Sequence, residues 1–120
     1  MAKILLAEDD ESLRNFLSLS LAKAGHKVAS FSQGDEAYEC VKRENFDLLL
    51  TDIVMPAMDG IELARRASEI DPGLKILFIT GFAAVALNPS SDAPKTAKVL
   101  SKPFHLRDLV QEIERMLLAA

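Results

Sequence analysis

Four points along this chain place polar side chains directly at the end of a short apolar run. Glu8-Asp9-Asp10 follows Ile4-Leu5-Leu6-Ala7, and Asp52 closes Leu48-Leu49-Leu50-Thr51. Thr80 closes Lys75-Ile76-Leu77-Phe78-Ile79, and Lys102 comes just after Ala97-Lys98-Val99-Leu100. Carboxylates gathered in one pocket repel one another, and a hard, oxygen-seeking cation such as Mg²⁺ relieves that repulsion. A hydroxyl and an amine facing them suit an incoming phosphoryl group, whose oxygens need donors and positive charge. Each residue also has a plainer reading. An Asp at a strand end commonly caps a loop or helix, and acidic residues favour the start of a helix through its dipole. A buried structural network is the plain reading of the whole set. The chemical reading rests on four strand ends carrying such groups at once.

The intervening segments decide whether those ends share an edge. Apolar runs of this length ending in polar residues read as buried strands of a parallel sheet. After Glu8-Asp9-Asp10, the residues Leu13, Phe16, Leu17, Leu21 and Ala24 recur at helical spacing, with Gly25 placed to end the helix. His26 to Phe31 reads as a weaker strand, with His26 solvated. Gly34-Asp35-Glu36 opens a second helix that closes at Asn45, with Cys40 on its inner face and Tyr38 at the surface. The Pro- and Gly-bearing run Ile53 to Gly60 is loop; the helix after it carries Ile61, Ala64, Ala67 and Ile70 on one face and stops at Asp71-Pro72-Gly73. Leu106, Leu109, Val110, Ile113 and Leu117 make the last helix amphipathic, with His105 at its start. Strand and helix alternate, which implies an α/β fold with a doubly wound, five-stranded parallel sheet. In the order 2-1-3-4-5, all four polar ends gather at the carboxyl edge, where such sheets bind ligands.

One stretch breaks the rhythm. Residues 81–95 should form the fourth helix, yet they include Gly81, Asn88-Pro89, Ser90-Ser91 and Pro94. A proline inside a helix costs roughly 3 kcal/mol, so this helix is expected to be short or irregular.

Totals bound the function. At 120 residues the chain reads as one domain, 1–120, with an ordinary composition of 49% apolar and 27% charged residues. A net charge of −4 with no basic run argues against nucleic acid as a partner. The single Cys40 forms no internal disulfide and no zinc cluster. No signal peptide and no run of ~20 apolar residues is present, so a cytoplasmic protein without a membrane span is expected.

The motifs Ile4-Leu5-Leu6-Ala7-Glu8-Asp9-Asp10, Asp52-Ile53-Val54-Met55-Pro56-Ala57-Met58-Asp59-Gly60, Ile79-Thr80-Gly81 and Lys102-Pro103-Phe104 resemble the receiver domain of bacterial two-component response regulators, such as the chemotaxis protein CheY. The resemblance covers the whole chain and implies the flavodoxin-like receiver fold. It implies that Asp52 accepts a phosphoryl group from a histidine kinase or histidine phosphotransferase. It implies Mg²⁺ held by Asp9 directly, by Glu8 through water, by Asp52 and by the backbone carbonyl of Val54. Thr80 would hydrogen-bond the phosphoryl group and Lys102 would pair with it, aimed by a cis bond to Pro103. Asp10 is then a helix-opening neighbour and not a ligand. Replacing a carboxylate by a group of greater charge would bias a two-state switch around Thr80 and Lys102.

The sequence departs from the family pattern in two respects. Receivers usually carry Tyr or Phe three residues before the lysine, and here that residue is Val99, β-branched and stiff. The response is therefore expected as ordering or disordering around Phe82 to Pro94, readable by hydrogen exchange. The positions two beyond Asp52 and Thr80 are Val54 and Phe82, both apolar and unable to orient water. Slow self-dephosphorylation is expected, and Phe82→Glu should speed it.

With no output domain after the last helix, the expected output is binding to another protein and not catalysis. The run Val99-Leu100-Ser101-Lys102-Pro103-Phe104 and the Pro-broken fourth helix resemble the CpdR-type stand-alone receivers, which implies a role in regulated proteolysis with a ClpX-type unfoldase of the ClpXP protease as partner. The terminus Leu118-Ala119-Ala120 is similar to the small apolar tails that such unfoldases grip. Other functions fit less well or equally. A phosphorelay shuttle or a chemotaxis-type stand-alone receiver would carry the same residues. A flavodoxin-type FMN carrier would need a hydroxyl-rich loop after the first strand, where Glu8-Asp9-Asp10 repels phosphate. An aspartyl phosphate-ester hydrolase would need an acid two residues past Asp52 and a cap over the pocket.

Overall fold

The computed structural model describes residues 2–80 and 97–118. Chain order is β1 (Lys3–Ala7), α1 (Glu11–Lys23), β2 (Lys27–Phe31), α2 (Gly34–Arg43), β3 (Leu48–Asp52), α3 (Gly60–Ile70), β4 (Lys75–Thr80), β5 (Lys98–Ser101) and α4 (Leu106–Leu118). The stretch expected to hold the irregular fourth helix, with Phe82 and Pro94, lies outside the described residues, as do Ala119 and Ala120.

The strands form one five-stranded sheet in the order β2-β1-β3-β4-β5, and every pairing is parallel. This is the expected doubly wound order. β3 lies at its centre and all five of its residues are buried, so Leu48-Leu49-Leu50 can be apolar on both faces. Because side chains alternate across a strand, the sheet feeds two cores. Leu5, Leu49, Ile76 and Phe78 pack with Ala37, Cys40, Leu63 and Ala67 of α2 and α3. Ile4, Leu6, Leu48, Leu50 and Leu77 pack with Leu17 and Leu21 of α1 and with Leu109, Ile113 and Met116 of α4.

Local chemistry sets the helix starts. The Asp10 carboxylate accepts from the Leu13 amide at 3.1 Å and caps α1; Asp59 accepts from the Glu62 amide at 2.8 Å and caps α3. Glu44, with an extended backbone, ends α2, one residue before the expected Asn45.

Three expectations need correction. Phe16 is 51% exposed and Ile70 45% exposed, whereas Leu63 is fully buried. Both misplaced residues keep helical spacing but lie at the margin of their stripes, and what packs above the stripe decides which margin is covered. His26 is not solvated. Its Nδ1 accepts from the Ala2 amide at 3.2 Å and its Nε2 is buried, because the start of the chain folds over the turn that ends α1. Tyr38 is half-buried, with the Lys42 ammonium 5.0 Å and the Arg66 guanidinium 5.6 Å from its ring centre. No helix among the described residues is long and apolar enough to cross a membrane.

Candidate functional site

The carboxyl edge of the sheet is where the polar strand ends meet. The Glu8 amide donates to the Phe31 carbonyl at 3.0 Å, so the β1–β2 ladder runs one residue past β1 and carries the Glu8 side chain inward, fully buried. One Glu8 oxygen, Oε2, accepts from the Asp10 amide at 3.1 Å; the other, Oε1, accepts from Lys102 Nζ at 3.2 Å. Asp52 is buried at the end of β3. Its Oδ1 accepts from the Ile53 amide at 2.7 Å and its Oδ2 from Lys102 Nζ at 3.0 Å. Asp9 is exposed at the rim.

The backbone beneath Asp52 is closely held. The Thr51 hydroxyl donates to the Asp52 carbonyl at 2.8 Å, and the Gly60 amide donates to the Ile53 carbonyl at 2.7 Å. A Cβ on Gly60 would collide with the Asp52 carbonyl, so only glycine lets α3 start this close to the strand end. Lys102 is tied in turn: its amide donates to the Thr80 carbonyl at 2.8 Å, beyond the Thr80–Ser101 pair of the β4–β5 ladder. Its peptide bond to Pro103 is cis.

Glu8, Asp9 and Asp52 each offer an oxygen within 4.8 Å of the others. Burial drives the Glu8 carboxyl upward to about 7; the Asp10 amide opposes this, the charge of Asp52 and a hydrogen bond with Asp9 add to it, and Lys102 opposes it in part. Burial also works to lower the Lys102 ammonium, but its hydrogen bond to Asp52 and the charges of Glu8 and Asp52 prevail and hold it above the usual lysine value. Lys102 is shared by Glu8 and Asp52 and pairs with those two of the three acids, whose all-oxygen donor set fits a hard divalent ion such as Mg²⁺.

The sequence-derived residues therefore divide. Glu8, Asp9, Asp52 and Lys102 come together, and buried Thr80 ends the strand beside them. Val54 lies in the loop after Asp52 with a 61% exposed side chain. Val99 is half-buried against the α2/α3 core, and Pro103 is exposed. Phe82, Ala119 and Ala120 are outside the described residues. Sequence reasoning overlooked Arg14, whose guanidinium donates to the Glu8 carbonyl at 2.8 Å.

Residues 4–114 match the family model described as the response regulator receiver domain. The chain is 72% identical to the response regulator receiver protein CpdR of Brucella abortus over 120 residues, the full length of both. It is 32% identical over 118 residues to a segment of the sensor kinase CckA of the same organism, of which it spans 12%. Among solved structures, a response regulator receiver protein from Sinorhizobium medicae is 33% identical with a TM-score of 0.88, over 98% of this chain and 94% of that one. With its motifs, its strand order and these likenesses in agreement, the chain belongs to the response regulator receiver domain family.

Proposed function

We propose that this protein is a cytoplasmic, single-domain response regulator that accepts a phosphoryl group on Asp52 in a Mg²⁺-dependent reaction and thereby switches its binding to a partner protein. The observation that carries this reading is the Lys102 ammonium held between the Asp52 and Glu8 carboxylates, with Asp9 beside them at the same sheet edge. Glu8, Asp9, Asp52 and the Val54 carbonyl would hold Mg²⁺, which when bound supplies positive charge against the phosphoryl oxygens. The phosphoryl donor is a histidine kinase or a histidine phosphotransferase. Its nitrogen–phosphorus bond breaks as an Asp52 oxygen–phosphorus bond forms, and the imidazole leaves. The likeness to a segment of a sensor kinase supports a phosphorelay setting.

The closely held backbone of Asp52 supports this role, because it keeps the carboxylate from swinging away. Lys102 pairs with the new phosphoryl oxygens, and the Thr80 hydroxyl donates to them. Each then loses part of its present hold, and the change passes to the segment from Phe82 to Pro94, with Val99 standing where a swinging ring would otherwise be. The co-extensive match to CpdR supports a stand-alone receiver over residues 1–120 whose output is binding. Its output is regulated proteolysis, with a ClpX-type unfoldase as partner and Ala119 and Ala120 as a tail it grips.

An amide NMR titration with Mg²⁺ and beryllofluoride, a phosphoryl mimic, tests the site. Large shifts near Asp9, Asp52, Thr80 and Lys102 in wild type, absent in Asp52→Asn, are expected; silence in both proteins would refute phosphoryl acceptance. Replacing Ala119 and Ala120 by Asp should slow turnover by the protease, and unchanged turnover would remove the tail from the reading.

A further inference from the structure

We infer that Arg14 is a positioning residue for the acidic pocket: its guanidinium, bonded to the Glu8 carbonyl, sets the loop that presents Glu8 and Asp9 to the metal. The inference rests on the Mg²⁺-dependent reading of the site given above.

Arg14 is out of place by local rules. α1 begins at Glu11 with Asp10 as its cap, and Arg14, whose amide donates to the Asp10 carbonyl, closes the first turn. The positive end of the helix dipole disfavours a cation there. A residue that breaks a local preference is expected to have a compensating contact, and here that contact is the 2.8 Å bond from its guanidinium back to the Glu8 carbonyl.

That bond completes an enclosure. Glu8 is fully buried, and each of its polar atoms has a partner from a different place. Its amide donates to Phe31 at the end of β2. Its carboxylate accepts from the Asp10 amide in its own loop and from Lys102 after β5. Its carbonyl alone is served by α1, through Arg14. These contacts are not equivalent in permanence. Lys102 is shared with Asp52, and the pair must be redistributed when a cation or a phosphoryl group arrives. The Arg14 bond goes to the backbone and leaves the Glu8 carboxylate oxygens for the pocket. It can persist throughout, keeping the turn from Ala7 to Asp10 in place while the side chains exchange partners. An arginine is suited to this, because its guanidinium stays charged and its planar fork is pre-organised. Without it the Glu8 carbonyl, next to the exposed Asp9, would turn to water, and the two acids would have to be ordered each time metal binds.

The experiment is Mg²⁺ titration of the folded, full-length protein, followed by amide NMR, for wild type, Arg14→Met and Arg14→Lys, with Asp9→Asn as the site control. Arg14→Met should weaken Mg²⁺ binding about tenfold, and Arg14→Lys, which keeps one donor, should recover part of that loss. In phosphoryl acceptance, the Mg²⁺ concentration for half-maximal rate should rise about tenfold in Arg14→Met while the rate at saturating Mg²⁺ falls less than threefold. A purely structural role would lower the unfolding temperature and leave the affinity of the folded protein within twofold of wild type; that result overturns the inference. Should Arg14→Met fail to fold, Arg14→Ala, which also removes the donor, carries the same test with the same limits. If wild type itself shows no Mg²⁺ response that Asp9→Asn removes, the reading of the site fails and the Arg14 role fails with it. Normal wild-type binding with unchanged variants defeats the Arg14 role alone.

Discussion

The two edges of one sheet handle charge in opposite ways. At the amino edge, strands β1, β2, β4 and β5 each begin with lysine: Lys3, Lys27, Lys75 and Lys98. Their surroundings are wet. Lys3 pairs with Glu44 at 2.5 Å, with both side chains more than a third exposed, and the Asp47 carboxylate accepts from the Lys3 amide at 2.8 Å. At the carboxyl edge Glu8 and Asp52 are buried, Lys102 between them is 29% exposed, and of the three acids only Asp9, at the rim, is open to solvent. Water screens the first set and is largely excluded from the second, so similar ion pairs have different consequences. An edge that only closes a fold can leave its charges to solvent. Ionisable groups held mostly out of water and incompletely balanced are the pattern of a binding site.

The comparison breaks most sharply under substitution. Asp52→Asn should abolish phosphoryl acceptance from a phosphorylated donor, read as labelled protein on a gel; retained labelling would move the acceptor elsewhere. Next in size, Lys102→Met leaves two buried carboxylates facing each other and should destabilise the metal-free protein by about 2 kcal/mol, a loss that Mg²⁺ largely restores. Denaturant unfolding with and without Mg²⁺ measures both parts. Lys3→Met at the other edge should change stability by no more than about 0.5 kcal/mol, and a larger loss there would erase the distinction drawn here.

Acidity sharpens the same contrast. The Glu8 carboxyl is raised from 4.5 to about 7 in the folded protein, so between these values the native state holds a proton that the unfolded chain has released. Metal-free stability should therefore be highest below about pH 4.5 as far as this group is concerned, and should fall as pH rises to about 7. Metal binding runs the other way, because the proton must leave first. Mg²⁺ affinity at pH 6 should be about tenfold weaker than at pH 8, measurable by calorimetry, and a flat profile would contradict the burial of Glu8. The smallest expected effect belongs to acids outside the pocket: Glu44 is held below the usual range by its hydrogen bond to Lys3, and Glu62 by its bonds to Arg65 and Arg66, so neither should titrate in this window.

Much of this was legible in the residues. Short apolar runs alternating with amphipathic segments fix a parallel sheet, and Asp52 at the end of Leu48-Leu49-Leu50-Thr51 marks its ligand edge, because burial on both faces demands that pattern. What could not be read depends on contacts distant in sequence. The sequence reads His26 as solvated, yet Ala2, 24 residues away, closes over it. Phe16 kept the period of its helix but not its burial, since no periodicity shows where the neighbouring layer ends. Arg14 left only a faint trace, a cation at the wrong end of a helix, and its partner is a carbonyl, which every residue has.

The hydrogen bond from the Lys102 amide to the Thr80 carbonyl has a consequence for movement. The ammonium that touches Glu8 and Asp52 hangs by a flexible stem from a peptide fastened to the last residue of β4. Shifting the ammonium away from the two acids it bridges needs only rotations about that stem, and no strand pair has to open. The charges at this edge can therefore change partners while the β4–β5 pairing stays closed.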